Sequence, residues 1–326
     1  MNGINISEFR SKGGLHNITE GRPDDLFLVC ASYEDRSVST VKSLSPQYRC
    51  KTGIIYVNEE FLEKSDSCST KKNLNQLQKL LKQHCESLEV AVGSWLNAPK
   101  QLATLKSYLA PKEKLFPIEA TITIDTTTFN RESLLISILM LRKHYIGAKI
   151  RTIYVSPQGH GDWLTQGFRI IRNVLGFNGL QESRWRNILC ILSGFETERA
   201  LKIIEEHEPA QVLLGIADPP TDKNFLSRNR DDQKLILSRQ DVCEFSFPAG
   251  DIKKSKAALE SVLNPFLNKN NIVIAPMSTK PSTLAAMLIA EKHPEIQITY
   301  CLPGEYNLEN YSVGEKKIYI DELPIG

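Results

Sequence analysis

The chain has 326 residues, 41% of them apolar and 24% charged, with a formal net charge of +2. That balance implies no strongly basic surface built for a long nucleic-acid backbone and leaves room for a local basic cleft, and the apolar content supports packed cores. No run approaches the roughly 18 apolar residues of a membrane span, and the N-terminus lacks a basic region followed by an apolar one, so a cytoplasmic protein is expected. From the N-terminus, Met1 to Gly21 is polar and glycine-bearing and reads as a flexible arm, over 1–22, hinged at Thr19 to Pro23. The first apolar run, Leu26 to Val29, ends in CASYEDRSV at Cys30 to Val38, and TGIIYV at Thr52 to Val57 predicts the next strand. An amphipathic, basic helix follows from Lys71, around Leu74 to Leu81, then a strand at Leu88 to Gly93 and a helix at Lys100 to Leu109.

These segments recur. Ile188 to Ile191 runs into LSGFETERA at Leu192 to Ala200, and QVLLGI follows at Gln211 to Ile216. A polar stretch, a strand at Cys243 to Phe247 and a helix at Lys254 to Leu263 come next. ATITIDTTTFNRESLLISIL (Ala120 to Leu139) matches NIVIAPMSTKPSTLAAMLIA (Asn271 to Ala290). TIYVSPQG from Thr152 matches ITYCLPGE from Ile298. LTQGFRIIRNVLG from Leu164 matches YSVGEKKIYIDEL from Tyr311, each with a glycine before an alternating run. Six segments in one order point to duplication of a unit of roughly 150 residues, with repeats at 23–183 and 184–326.

Continuous apolar strands alternating with helices indicate parallel sheets covered on both faces. The expected fold is therefore α/β, an internally duplicated Rossmann-like domain with two mostly parallel sheets. The last run of each half is expected as an antiparallel edge strand. GxGxxG and GxxxxGK[ST] are absent, which disfavours ordinary NAD or FAD binding and a P-loop ATPase, and no cofactor is assigned. The seven cysteines lack CxxC spacing and do not cluster with histidine, so zinc is not expected and reduced thiols are.

Ligands of open α/β sheets lie beyond the carboxyl strand ends, where strand order switches. In the first turn of each half, small residues (Ser32; Gly194) let backbone amides approach a ligand. Glu34 and Glu196 either cap the following helix or accept hydrogen bonds from a ligand. They are expected at equivalent positions, in binding or structural roles, with Tyr33 and Phe195 on the floor of a crevice shared by the halves. In the hydroxyl-rich loops, Thr127, Thr128, Asn130 and Arg131, and Ser278, Thr279 and Lys280, offer donors and positive charge to an anion at a helix start, or simply cap that helix. Asp218 stands at another strand end. His160 and Asp162 suggest acid–base work or a solvated loop. Tyr306 and Tyr311 offer base stacking or a core edge, and the charge-dense 225–241 a lid or partner surface.

APMSTKPSTLAAML resembles the ligand loop of CRISPR-associated Rossmann-fold (CARF) domains, a hydroxyl–Thr–Lys turn leading from a strand into a helix, and the first-strand turn is similar to the family's other ligand loop. The resemblance implies a cyclic-oligoadenylate-type ligand at Ser278, Thr279 and Lys280, a pseudo-dimer made of the two repeats, and a role in bacterial antiviral defence. Met277-Ser278 replaces the family's paired glycines, and no R-x4–6-H nuclease motif stands in a helical tail. The expected function is a regulatory or sensor subunit that binds a nucleotide-type anion and signals to a protein partner, an effector or ATPase. The alternatives are an enzyme of nucleotide or sugar-nucleotide chemistry, with catalytic residues unknown, and a structural subunit.

Overall fold

The computed structural model describes residues 3–63 and 68–325. The chain forms two compact units: Met1–His160 joined by Ser312–Gly326, and Gly161–Tyr311. The first unit holds strands β1 (Ile4–Asn5), β2 (Asp24–Ala31), β3 (Cys50–Asn58), β4 (Cys85–Gly93), β5 (Thr121–Asp125), β6 (Lys149–Val155) and β7 (Gly159–His160). The second holds β8 (Thr165–Asn178), β9 (Asn187–Leu192), β10 (Gln211–Ala217), β11 (Val242–Phe247), β12 (Asn271–Pro276) and β13 (Gln297–Tyr306). The chain then returns to the first unit for β14 (Ser312–Val313) and β15 (Lys317–Glu322). The helices of the first unit are α1 (Ile6–Ser11), α2 (Gly14–Ile18), α3 (Ser39–Lys42), α4 (Glu60–Glu63), α5 (Cys68–Leu81), α6 (Ala98–Leu109) and α7 (Arg131–His144). Those of the second are α8 (Thr197–His207), α9 (Asn224–Asp232), α10 (Lys234–Leu237), α11 (Ile252–Leu263) and α12 (Lys280–Lys292).

The first sheet has the order β1-β15-β6-β5-β2-β3-β4, with β2 to β6 mutually parallel and β15 antiparallel to β6. The second has the order β11-β10-β9-β12-β13-β8, with β9 to β13 parallel and β8 antiparallel to β13. Each is a third-second-first-fourth-fifth arrangement continued by an antiparallel strand, the Rossmann-like doubly wound order, and in the first sheet the short β1 adds a further strand outside β15. Identical strand order in two low-identity halves establishes the duplicated α/β fold. The apolar runs form central strands because both of their faces are covered. In the first unit, Phe27, Val29, Ile55, Val57, Ile153 and Val155 pack against Val38, Val41, Leu77 and Leu81. In the second, Leu189, Ile191, Leu214 and Val273 pack against Ala200, Ile203, Ile204 and Ile236.

Two expectations are corrected. The contiguous repeats 23–183 and 184–326 are not the units in space. The alternating run after β6 becomes β8, the edge of the second sheet, and the run after β13 becomes β15 of the first sheet, which only the two-residue β1 flanks on its outer side. The edge strands are reciprocally exchanged along the chain. The other correction concerns the segment read as a flexible arm over 1–22. It carries β1, α1 and α2, and buries Ile6, Phe9 and Leu15 in the first core. Asn5 caps α1 by accepting the Ser7 N–H at 3.0 Å. Three well-spaced apolar side chains suffice to dock this otherwise polar segment. Met1 and Asn2 lie outside the described residues. Among those described, no helix is long and apolar enough to cross a membrane.

Candidate functional site: the strand-end turns and their clamps

In the first unit, β2 ends in the turn Ser32–Glu34, whose carbonyls at Ser32 and Glu34 accept hydrogen bonds from Asn73 Nδ2 of α5 at 2.9 and 3.1 Å. Glu34 is buried, and its Oε2 accepts from Arg36 Nη2 and from Ser312 Oγ, both at 2.5 Å. Arg36 Nη1 donates to the Val155 carbonyl at the end of β6 at 2.6 Å, and its Nε to Ser312 Oγ at 3.1 Å.

The second unit repeats this arrangement. Both carboxylate oxygens of Glu196 accept from Arg199 Nη1 at 2.9 Å, and Thr165 Oγ1 donates to the same carboxylate. Arg199 Nη2 donates to the carbonyl of Cys301 in β13, and its guanidinium stands 5.7 Å from the Tyr300 ring centroid. Burial pulls the Arg199 guanidinium towards its neutral form, but the Glu196 carboxylate together with Tyr300, Cys301 and Tyr306 more than reverses this. Val155 and Cys301 hold the same place in TIYVSP and ITYCLP. Ser312 and Thr165 hold the same place in YSVG and LTQG, two residues before glycines at φ +63° and +60°. Three of the recurring segments thus converge in space on one construction. A buried ion pair is tolerated only when its remaining donors and acceptors are bonded, and the hydroxyl and the strand carbonyl complete it.

The aromatics before the acids also correspond. Tyr33 meets Phe61 edge-on at 5.1 Å, and Phe195 meets Phe225 edge-on at 5.7 Å, with the Arg228 guanidinium 4.5 Å over its face. The capping role of the acids is corrected: neither Glu34 nor Glu196 makes a side-chain cap bond. Each holds its arginine instead.

The hydroxyl-rich loops gather at the ends of the first and fourth strands. Thr128 Oγ1 donates to the Cys30 carbonyl of β2 at 2.7 Å, and Thr127 Oγ1 accepts the Val155 N–H at 3.0 Å, so the loop stitches β2, β5 and β6 together. Asn130 Oδ1 accepts the Ser133 N–H at 2.7 Å and caps α7, whose first residue is the half-buried Arg131. In the second unit, Thr279 caps α12 and donates to the Ala249 carbonyl at 2.5 Å, with half-buried Ser278 before it and Lys280 as the first helical residue. Gly194 lies against this loop: a Cβ there would stand 2.4 Å from the Met277 carbonyl oxygen. Asp125, at the end of β5, is buried, and burial raises its carboxyl above the ordinary aspartate range against the pull of the Thr127 bonds and the Arg36 charge.

The structure therefore assembles Ser32, Glu34, Thr127, Thr128, Asn130 and Arg131 in one unit, and Gly194, Glu196, Ser278, Thr279 and Lys280 in the other. Asp218 stands apart, exposed beyond β10, within the field of Arg230. Segment 225–241 carries most of α9 and all of α10. Asn229 and Gln233, both buried, donate to the Gly194 carbonyl at 2.6 and 3.0 Å. Tyr306 is buried, its hydroxyl 3.2 Å from that of Tyr300, a core position rather than a stacking platform. His160 lies in β7, opposite Ser312, and the backbone carbonyl of Asp162 accepts from Arg228 Nη2 at 3.0 Å. Among the described residues, no group of three or more His, Cys, Asp or Glu side chains is placed to hold a metal.

Sequence reasoning missed Arg36, Arg199, Ser312 and Thr165. Their signals were present: E-x-R and E-x-x-R in the two first turns, and hydroxyl-x-Gly before each edge strand.

No family model matches the chain. No curated protein matches it either. Among solved structures it is similar to the N-domain with NADP of bacterial malonyl-CoA reductase, at 10% identity and a TM-score of 0.23, over 88% of this chain. The chain spans 65% of that structure's length. A likeness this distant carries no weight for fold or ligand, and the fold rests on the strand order.

Proposed function

We propose that this protein is a binding module, a regulatory or sensor subunit that takes a nucleotide-type anionic ligand at the carboxyl ends of the first and fourth strands. The supporting observation is the fate of the acids. In both units the strand-end glutamate is buried in an arginine ion pair, an arrangement that holds structure and does not offer a poised general base. Beside each clamp a long helix starts with a cation, Arg131 on α7 and Lys280 on α12, where N–H groups favour an anion. The similarity to CARF ligand loops at Ser278, Thr279 and Lys280 extends the proposal to cyclic oligoadenylates, a bacterial defence setting in the cytoplasm, and a protein partner, effector or ATPase, that responds to the bound state.

The test is a thermal-shift and calorimetric panel of adenine mononucleotides, dinucleotides, sugar nucleotides and cyclic oligoadenylates on the full chain, with Arg131→Ala and Lys280→Ala. At least one phosphate-bearing ligand is expected to stabilise the protein. One or both variants should weaken it by about 1–3 kcal/mol, the range of a charge-assisted hydrogen bond. A panel with no stabilising ligand, or variants that bind like the parent, would overturn the proposal.

A further inference from the structure

Cys50 opens β3 and Cys85 opens β4, and the two stand directly opposite each other in the parallel register. Cys50 N–H donates to the His84 carbonyl at 2.9 Å, which fixes the approach of the two strand starts. Cys50 belongs to the first core cluster and Cys85 packs against it, while Cys50 Sγ donates to the Thr52 carbonyl at 3.0 Å. Directly paired residues on adjacent strands lie about 4.8 Å apart, inside the Cα separation of about 4.4–6.8 Å that a disulfide spans. The other described cysteines have different neighbours. Cys30 stands opposite Tyr56, Cys301 opposite Ile171, Cys190 between Leu213 and Ile274, and Cys243 opposite Leu213. Both thiols of the pair are reduced. Cys50 is 1% exposed and Cys85 is half-buried.

We propose that Cys50 and Cys85 are a reversible disulfide site, oxidised by low-molecular-weight disulfides of the glutathione class. Cys85, the more accessible thiol, loses its proton and attacks one sulfur of glutathione disulfide, and a glutathione thiolate leaves with that proton. Cys50 then loses its proton and attacks the Cys85 sulfur of the mixed disulfide, and the second glutathione leaves as the thiol. Two protein thiols are oxidised to one disulfide, and one glutathione disulfide is reduced to two thiols. Burial holds the Cys50 thiol in its protonated form, and the neighbouring Cys85 adds to this. The Cys85 contribution disappears once its sulfur is bonded to glutathione, which eases the second deprotonation, so Cys50 reacts after Cys85 and burial alone slows that step. The product staples β4, the terminal strand of the first sheet, to β3 at their amino ends, opposite the strand-end turns.

The experiment is a peptide map of the full chain after incubation in glutathione redox buffers and alkylation. The expected result is a linked peptide pair joining Cys50 to Cys85, lighter than the reduced pair by two hydrogens, about 2 Da, and restored by dithiothreitol. Amides of β4 are expected to exchange more slowly in the oxidised protein. Cys85→Ser and Cys50→Ser abolish the linkage and Cys68→Ser retains it. The linkage is read in the unaltered protein, so the result does not depend on the folding of any variant. A stable glutathione adduct on Cys85 without the internal bond, a Cys68–Cys85 linkage, or no linkage under excess glutathione disulfide would overturn the proposal.

Discussion

Ser312 donates its hydroxyl to the carboxylate of Glu34 at 2.5 Å across 278 residues of chain. Thr165 does the same for Glu196 across 31 residues. The two hydroxyls correspond in the repeat, but each sits in the segment that follows the fifth strand of the opposite half. A duplicated fold with contiguous halves would give both clamps the same sequence separation. The difference is the signature of edge-strand exchange, and it makes each sheet depend on residues encoded in both halves.

Breaking one partner of a buried pair leaves an uncompensated charge. Glu34→Gln and Arg36→Ala are each expected to cost about 3–5 kcal/mol, and the double change less than their sum. Urea unfolding of the four proteins gives the coupling, and additive costs would show that the pair is not energetically linked. The same cycle on Glu196 and Arg199 is expected to give a coupling of the same sign.

Removing a clamp hydroxyl is milder. Ser312→Ala and Thr165→Ala should each cost about 1–2 kcal/mol, because the buried carboxylate keeps its arginine but loses one donor. Hydrogen exchange locates the effect: faster exchange in β6 and β15 for Ser312→Ala, and in β8 and β13 for Thr165→Ala. Unchanged exchange in those strands would place the hydroxyls outside the stabilising network.

The core strands were legible because a buried parallel strand must be a continuous apolar run, and the ordered recurrence of those runs carried the duplication. The destination of the edge strands was not. Alternation in LTQGFRIIRNVLG and YSVGEKKIYIDEL specifies a half-buried strand, but no local pattern says which of two like sheets it completes. The recurring acid was visible, but its role depended on Arg36 and Arg199, long side chains whose partners, Val155 and Cys301, lie far along the chain. The N-terminal segment misled because composition averages over Ile6, Phe9 and Leu15, whose burial decides its order.

Gly194 is fixed by space. A Cβ at this position meets the Met277 carbonyl at 2.4 Å, and backbone must move to admit it. Gly194→Ala should lower stability by about 1–3 kcal/mol, the usual cost of overpacking, as read by denaturant midpoint. A neutral result would mean that the loop before α12 shifts freely.

Asp125 links the site to pH. Burial raises its carboxyl above the reference value of 3.8, so the folded protein holds this proton more tightly than the unfolded chain does. Its contribution to stability is fully present below that value and is lost as pH rises through the raised folded value. Relative to Asp125→Asn, the parent should therefore lose stability as pH rises from below the ordinary aspartate range to well above it. Denaturant unfolding of both proteins at the two ends gives the difference, and a gap that does not change with pH would contradict the shift.

Equilibrium dialysis of the full chain against labelled adenine nucleotides, with the retained ligand recovered and separated by chromatography, tests the central claim most directly. A binding module retains the ligand and returns it intact. No retention, or recovery as a converted product, would contradict that account, and conversion would establish an enzyme in its place.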